Sequence, residues 1–320
     1  MMNYSGVKAF ASVSVAVAML VSAFFIPEVF ENAMKVSVID KTWLSALLSV
    51  LCMSFTVTLL GYVNASRLQY TSSSVLLYGM FGVLAFSFPE SVVLTRYHLA
   101  IPMLLTALYF MLKYAGDEGT NVSSAFYSGL SVSLASVFVP QLVWVVACFF
   151  SSGLFRRGKD TLRFIVSFLT AVLVPWIYIL SFGYLFPSSC LSGFAGQFFG
   201  MLPFGRPEFP EASPWVIAYA VLCLSIALRS ILFVSTGHIE KNREQKYAFS
   251  FSASLSILMV AIYCLYSQSL SPMFGIVAAL PSSFCVFAFV TKGNRFESAV
   301  YVSLLLVCAI MLRLFQMDII

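Results

Sequence analysis

The chain has 320 residues, of which 60% are hydrophobic, 16% aromatic and only 10% charged, where an average soluble domain carries roughly 25% charged residues. So few charges cannot cover a globule of this size without leaving apolar patches far larger than soluble monomers tolerate. Soluble enzymes, nucleic-acid binders, disulfide scaffolds and disordered tails are excluded together, and the net charge of +5 has to be read by the side of a membrane on which it falls.

A helix needs about 20 mostly apolar residues to cross a hydrocarbon core of ~30 Å. Read between charges, clear runs fall at 7–26, 42–63, 71–88, 97–112, 164–182, 214–234, 248–266, 272–290 and 298–312. The charge-free stretch 122–155 would be about 51 Å long as one straight helix at about 1.5 Å per residue, too long for a single crossing. Pro140 stands near its middle, where proline removes a backbone donor and disfavours helix at the residue before it. Two short helices, 122–138 and 140–155, are therefore expected, for about eleven spans; read as one span, the stretch gives ten. Runs such as 216–227 are apolar on every side rather than in alternation, so the expected class is an all-α polytopic transmembrane helical bundle and not a barrel.

Residues 1–320 read as one integral membrane domain with no soluble domain between spans; the longest connections are 27–41 and the loop 183–213. Lys8 before an apolar run, with Val21-Ser22-Ala23 behind it, has the outline of a signal peptide. The run continues through Ile26, which favours an uncleaved first helix.

Orientation follows Lys and Arg, which are retained on the cytoplasmic side in short loops. Arg156, Arg157, Lys159 and Arg163 form one cluster, Arg229, Lys241, Arg243 and Lys246 a second, and Lys292 and Arg295 a third. With these inside and an odd number of spans, the N-terminus is cytoplasmic, and Lys35, Lys41, Arg96, Arg206 and Arg313 fall outside. Reading 122–155 as one span would invert everything before it without changing the charge balance, so the length of that stretch alone orients the N-terminal half.

The cores of the clear spans hold no Asp, Glu or Lys, and Arg229 lies near an inner end where it can snorkel to headgroups. This speaks against an ion-coupled pump. Six of the seven cysteines fall in spans and Cys190 in the outer loop, with no CxxC pair. Two histidines, His98 and His238, cannot make a multi-histidine zinc site. No phosphate loop, HExxH or GxSxG occurs. Asn64 and Asn121 each begin a glycosylation-type triplet but fall on the predicted inner side.

The candidate chemistry lies outside. Glu28, Glu31, Lys35, Asp40 and Lys41 follow the first span; Glu90, Arg96 and His98 follow the third; Arg206, Glu208 and Glu211 lie in the long loop. Carboxylates beside a headgroup layer can act as general base or hold a divalent metal, and arginine can grip a phosphate bidentately. Glu28, Glu31, Asp40 and Glu90 are thus the candidate catalytic residues, and Arg96 and Arg206 the candidate phosphate-binding ones. No cofactor is required, a divalent metal at the carboxylates being the alternative. A single charge at a span end is ordinarily a solvated cap, and Glu90 after Pro89 also fits a helix N-terminus. The segment 191–204, LSGFAGQFFGMLPF, is too apolar for an aqueous loop. It is expected in the outer interface or re-entering between helices, with Gly193, Gly196 and Gly200 permitting close backbone approach and the segment anchoring the chain or walling a lipid-like substrate.

The stretch 71–180, with Ser87-Phe88-Pro89-Glu90, Gly129, Val139-Pro140 and Arg156-Arg157-Gly158-Lys159, resembles an uncharacterised family of multi-spanning inner-membrane proteins of Bacteroidota. More loosely, a cytoplasmic N-terminus, acidic residues soon after the first span and a long outer loop are similar to the C-type membrane glycosyltransferases, which use polyprenyl-phosphate sugars. That resemblance implies a bacterial inner-membrane location, a polyprenyl-phosphate-linked substrate, and Glu28, Glu31 or Asp40 as base or metal ligand. Membrane lipids, and other membrane subunits for a non-catalytic member of an envelope assembly, are the remaining expected partners. A carrier of neutral or lipid-like solutes is the other alternative.

Overall fold

Where hydrocarbon offers no hydrogen bonds, a backbone must satisfy its own, and apolar runs of this length do so as helices. The computed structural model describes residues 4–25, 37–38, 42–68, 74–116, 121–155, 161–186, 193–202, 214–235, 243–266, 274–292 and 295–316. Among them the chain is all-helical: α1 Tyr4–Phe25, α2 Thr42–Val63, α3 Ser74–Phe86, α4 Arg96–Gly116, α5 Val122–Phe138, α6 Val143–Phe155, α7 Thr161–Leu185, α8 Phe194–Gly200, α9 Pro214–Ser235, α10 Arg243–Leu265, α11 Phe274–Lys292 and α12 Arg295–Gln316. Short 3-10 turns at Pro89–Val92 and Pro140–Leu142 and a π turn at Asn64–Leu68 complete it. Six segments, Trp43–Arg67, Arg96–Gly116, Thr161–Leu185, Pro214–Leu232, Lys246–Leu265 and Phe296–Phe315, are long and apolar enough to cross a membrane, and five shorter helices are apolar as well. The protein is a helical membrane bundle.

Side-chain registers give each helix a direction. Gly79 and Gly82 of α3 lie against Ser12 and Ala16 of α1, so these two helices run the same way. Gly129 of α5 lies against Phe168 and Ala171 of α7, Ser133 Oγ donates to the Val172 carbonyl at 2.7 Å, and Ser167 Oγ donates to that of Val122 at 3.1 Å. These contacts make α5 and α7 parallel. Phe150 of α6, by contrast, packs on Phe164 and Phe168 at the start of α7, while Trp144 at the other end of α6 donates to Tyr266 beyond α10. The chain therefore reverses at Val139–Leu142. There Pro140 opens the 3-10 turn, and the two short helices expected from its position are distinct.

The helices at the centre are α3 and α4. Met80, Phe81, Val83, Leu84 and Ala85 of α3 are buried, as are Ile101, Leu104, Leu105, Leu108 and Met111 of α4. α3 is apolar all round because helices cover it on all sides: α1, α11 and, through the Tyr219 hydroxyl on the Leu84 carbonyl, α9. α7 lies outermost, with Leu162, Val166, Leu173, Ile177 and Tyr178 exposed as hydrocarbon-facing residues would be. Asn121, read in the sequence only as part of a glycosylation-type triplet, caps α5: its side-chain oxygen accepts from Ser123 Oγ and the Ser124 amide.

Two expectations are corrected. The stretch 183–213 is not all loop, since α7 runs to Leu185 and Phe194–Gly200 is helical. Among the described residues, a methyl added at Gly193, Gly196 or Gly200 would meet nothing within 4 Å, so no described neighbour uses these glycines for close backbone approach. α8 is held by aromatic contact instead, with Phe198 edge-on to Trp176 of α7 at 4.2 Å and the Leu202 carbonyl accepting from the Tyr266 hydroxyl at 2.7 Å.

Candidate functional site

The segment between α3 and α4, Ser87–Thr95, is irregular yet buried from Ser91 to Thr95. A buried turn must find partners for its backbone groups, and the sequence around it supplies them. Thr95 precedes the first turn of α4, and His98 stands three residues on. His98 Nδ1 accepts the Thr95 amide at 3.3 Å and contacts Thr95 Oγ1 at 2.9 Å, filling the place a glutamate takes in a capping box. With Nδ1 accepting, the ring proton sits on Nε2, which donates to the Ser91 carbonyl at 2.8 Å. Ser45 and Ser49, one turn apart on α2, face the same segment. Ser49 Oγ donates to the Ser91 carbonyl at 2.9 Å and Ser45 Oγ accepts the Leu94 amide at 2.9 Å. The chain after α1 joins through the Val38 amide, which donates to the Leu94 carbonyl at 3.0 Å, and through Ser37, whose hydroxyl pairs with that of Ser45.

Ser49 Oγ lies 3.1 Å from His98 Nε2, the distance of a serine–histidine nucleophile pair. The hydrogen-bond pattern denies that role. A general base needs an unprotonated nitrogen facing the hydroxyl, whereas here Nε2 carries the proton and Nδ1 is committed to the backbone. His98 is a clamp.

Beside this clamp opens a groove of about 370 Å³. Ser49, Val50, Met53, Ser54, Val57 and Thr58 of α2 form one wall, Leu20 of α1 and Phe86 at the end of α3 the other, and Ser91 and Val92 its end. Ser91 Oγ is buried there and has no hydrogen-bond partner among the described residues. Behind Phe86, the buried guanidinium of Arg313 donates to the carbonyls of Phe86 at 2.7 Å and Met19 at 2.8 Å, tying the ends of α1 and α3 to α12. A second, smaller cavity of about 40 Å³ lies between α9, α10 and α11 against Phe88, and Ser282 is among its few polar residues.

Of the residues expected from sequence, Glu90 lies in the 3-10 turn Pro89–Val92, next to Ser91. Arg96 opens α4, with its guanidinium 5.3 Å from the Tyr97 ring centre and donating to the Tyr97 hydroxyl at 3.4 Å; it turns along its own helix and does not line the groove. Glu28, Glu31, Asp40 and Arg206 lie outside the described residues. No group of three or more His, Cys, Asp or Glu gathers among the described residues. The described part of 191–204 packs on α7 and α10 at the same end of the bundle, and it does not wall the groove.

The contributors that sequence reading missed are Ser45, Ser49, Ser91, Thr95 and Arg313. The Thr95-x-x-His98 spacing and the i, i+4 serines of α2 were signals available for three of them; Ser91 had none, and Arg313 looked like an ordinary charge at a span end. Compared with known protein families, curated proteins and solved structures, the chain matches none.

Proposed function

We propose that this protein is a bacterial inner-membrane protein that crosses the bilayer eleven times with its N-terminus in the cytoplasm. In this reading it handles a polyprenyl-linked sugar or another lipid substrate at the outer leaflet, in the manner of a glycosyltransferase. The observation that carries the reading is the seating of the Glu90-bearing turn. It is clamped by α2 and α4 through His98, Ser45 and Ser49, and it stands at one end of a groove whose walls mix apolar residues with Ser54 and Thr58. A carboxylate at a headgroup layer suits a base or metal ligand, and Arg96, which rests on Tyr97, would have to swing from its own helix to meet a phosphate.

The test is functional. Glu90→Gln and Arg96→Ala, with Glu28→Gln and Asp40→Asn beside them, are expected to abolish the cellular phenotype of the gene while leaving membrane abundance unchanged. Full function in all four variants removes the reading.

One observation favours a second reading, that of a non-catalytic subunit of an envelope assembly or a carrier. Both nitrogens of His98 are committed to the fold, so the described groove residues offer hydroxyls for binding and no group for proton transfer. A subunit would co-purify with a stable membrane partner; a carrier would be blocked by bulky side chains at groove serines with the four charged positions dispensable.

A further inference from the structure

We propose that the basic end of the bundle carries a site for the phosphate of an anionic phospholipid, at the corner where α2 and α4 finish, with Arg67, Lys113 and the hydroxyls of Tyr62 and Tyr109 as its donors. The inference goes beyond the reading above and does not depend on it, because the site lies at the opposite end of α2 and α4 from the Ser87–Thr95 turn.

Three observations carry it. The first is the irregular end of α2. Arg67 follows Tyr62 by five residues, which in a regular α-helix of about 3.6 residues per turn would point the two about 140° apart. The helix changes to π bonding over Asn64–Leu68, and the wider i→i+5 turn returns Arg67 to the side of Tyr62. Both then meet one ring: Tyr62 packs on Tyr109 with ring centres 5.4 Å apart, and the Arg67 guanidinium carbon lies 5.8 Å from the Tyr109 ring centre. Single π turns are rare and gather at functional sites; this one aims a cation at a pair of tyrosines.

The second is the state of the donors. The Tyr62 and Tyr109 hydroxyls meet at 3.4 Å, longer than a good O–H···O bond. Lys113 stands one turn along α4 from Tyr109. Among the described residues neither Arg67 nor Lys113 pairs with a carboxylate or a backbone carbonyl, and both are half-buried. Two adjacent helices thus bring together two cations and two hydroxyls that are rich in donors and poor in acceptors. A phosphate supplies acceptor oxygens and negative charge, and arginine grips it through paired N–H groups.

The third is depth. Tyr62, Tyr109, Phe110 and Tyr127 stand side by side across α2, α4 and α5, with neighbouring ring centres 5.1–5.4 Å apart, and Tyr62 and Tyr127 are exposed. An aromatic band open to the bilayer marks the headgroup boundary. Arg67 and Lys113 lie five and four residues beyond Tyr62 and Tyr109 toward the helix ends, about 6–8 Å further out at about 1.5 Å per residue, where lipid phosphates are. Basic sites between helices at this depth recognise anionic headgroups, which selects a lipid phosphate over one free in solution.

The test uses the full chain reconstituted in vesicles of phosphatidylethanolamine and phosphatidylglycerol, then released in detergent and weighed intact by native mass spectrometry. Phosphatidylglycerol is expected to stay bound in preference to phosphatidylethanolamine, whose ammonium group offsets its phosphate. Arg67→Gln weakens that retention about tenfold, the effect of losing one charge-assisted contact, and Tyr62→Phe, which removes an exposed hydroxyl and leaves the core alone, weakens it about threefold. Arg163→Gln, which removes an exposed cation at the same end on α7, leaves it unchanged. Equal retention of the two lipids, an equal loss in Arg163→Gln, or full retention in Arg67→Gln or Tyr62→Phe overturns the proposal. So does complete displacement by excess inorganic phosphate, which would assign the site to a soluble anion. A preference that emerges only in Asp117→Asn or Glu118→Gln, whose carboxylates lie outside the described residues, would give the two cations to those carboxylates and overturns it as well.

Discussion

At the scale of single residues, His98 concentrates more of the candidate site than any charged group does. Its ring holds the Thr95 amide on one side and the Ser91 carbonyl on the other, and both are buried. His98→Ala would leave the buried Thr95 amide without its imidazole partner, at roughly 1–3 kcal/mol, and would leave the Ser91 carbonyl only its bond from Ser49. Thermal unfolding in detergent should show a clear loss of stability, and His98→Gln, which can still accept the Thr95 amide as capping-box residues do, should recover part of it. Ser49→Ala should cost less, since the Ser91 carbonyl keeps its bond from His98. The protonation pattern yields a second expectation: a fluorophosphonate probe for activated serines leaves Ser49 unlabelled in the native protein, because no unprotonated nitrogen faces its hydroxyl. Labelling of Ser49 would mean that the imidazole adopts the other tautomer and that the clamp is a catalytic pair.

At the scale of elements, small residues and buried arginine decide which helices meet. Ala125, Ser128, Gly129, Val132, Ser133 and Ser136 of α5 are all buried, and a methyl added at Gly129 would stand 2.7 Å from the Phe168 carbonyl oxygen of α7. Because that neighbour is backbone and cannot swing away, Gly129→Ala should destabilise the α5–α7 contact by roughly 1–3 kcal/mol, and Gly129→Leu should lower the yield of folded protein. Arg313 acts between elements in a different way. One guanidinium reaches carbonyls on both α1 and α3, and Lys with a single ammonium head cannot span the two. Arg313→Lys should therefore lower the thermal midpoint nearly as much as Arg313→Ala.

These elements also show how far the sequence could be read. Apolar length and the placement of Pro140 were enough to delimit the helices, because both act locally on the backbone. The glycines of 191–204 were expected at close backbone contacts that no described neighbour makes, because a glycine's neighbours are set by tertiary packing. Arg313 was taken for an interface charge because nothing local distinguishes a snorkelling arginine from one turned inward onto two carbonyls. Glu90 was singled out for its charge, and the residues that fix its turn, the serines of α2, were not, since a hydroxyl in an apolar helix has no visible target until the facing segment is known.

At the scale of the whole molecule, directions read from side-chain registers separate two ends. Arg67, Lys113, Arg163 and Lys246 stand at one, where α2 and α4 finish and α7 and α10 begin, with Arg229 bonded through two nitrogens to both carboxylate oxygens of Glu297 nearby. The groove, the Ser87–Thr95 turn, α8 and Arg313 stand at the other. In the proposed eleven-span reading, retention of short basic loops in the cytoplasm places the groove end outside, and the reversal at Val139–Leu142, taken as two crossings, carries that assignment back to α1. Single cysteines in a variant otherwise without them give the measurement. Val38→Cys at the groove end should react with a membrane-impermeant maleimide in intact cells, whereas Ser66→Cys at the basic end should react only after lysis. Shielding of Val38→Cys until lysis while a cysteine placed in 203–213 labels from outside would contradict the common end that the Arg313 contacts give α1, α3 and α12 and would overturn the eleven-span reading.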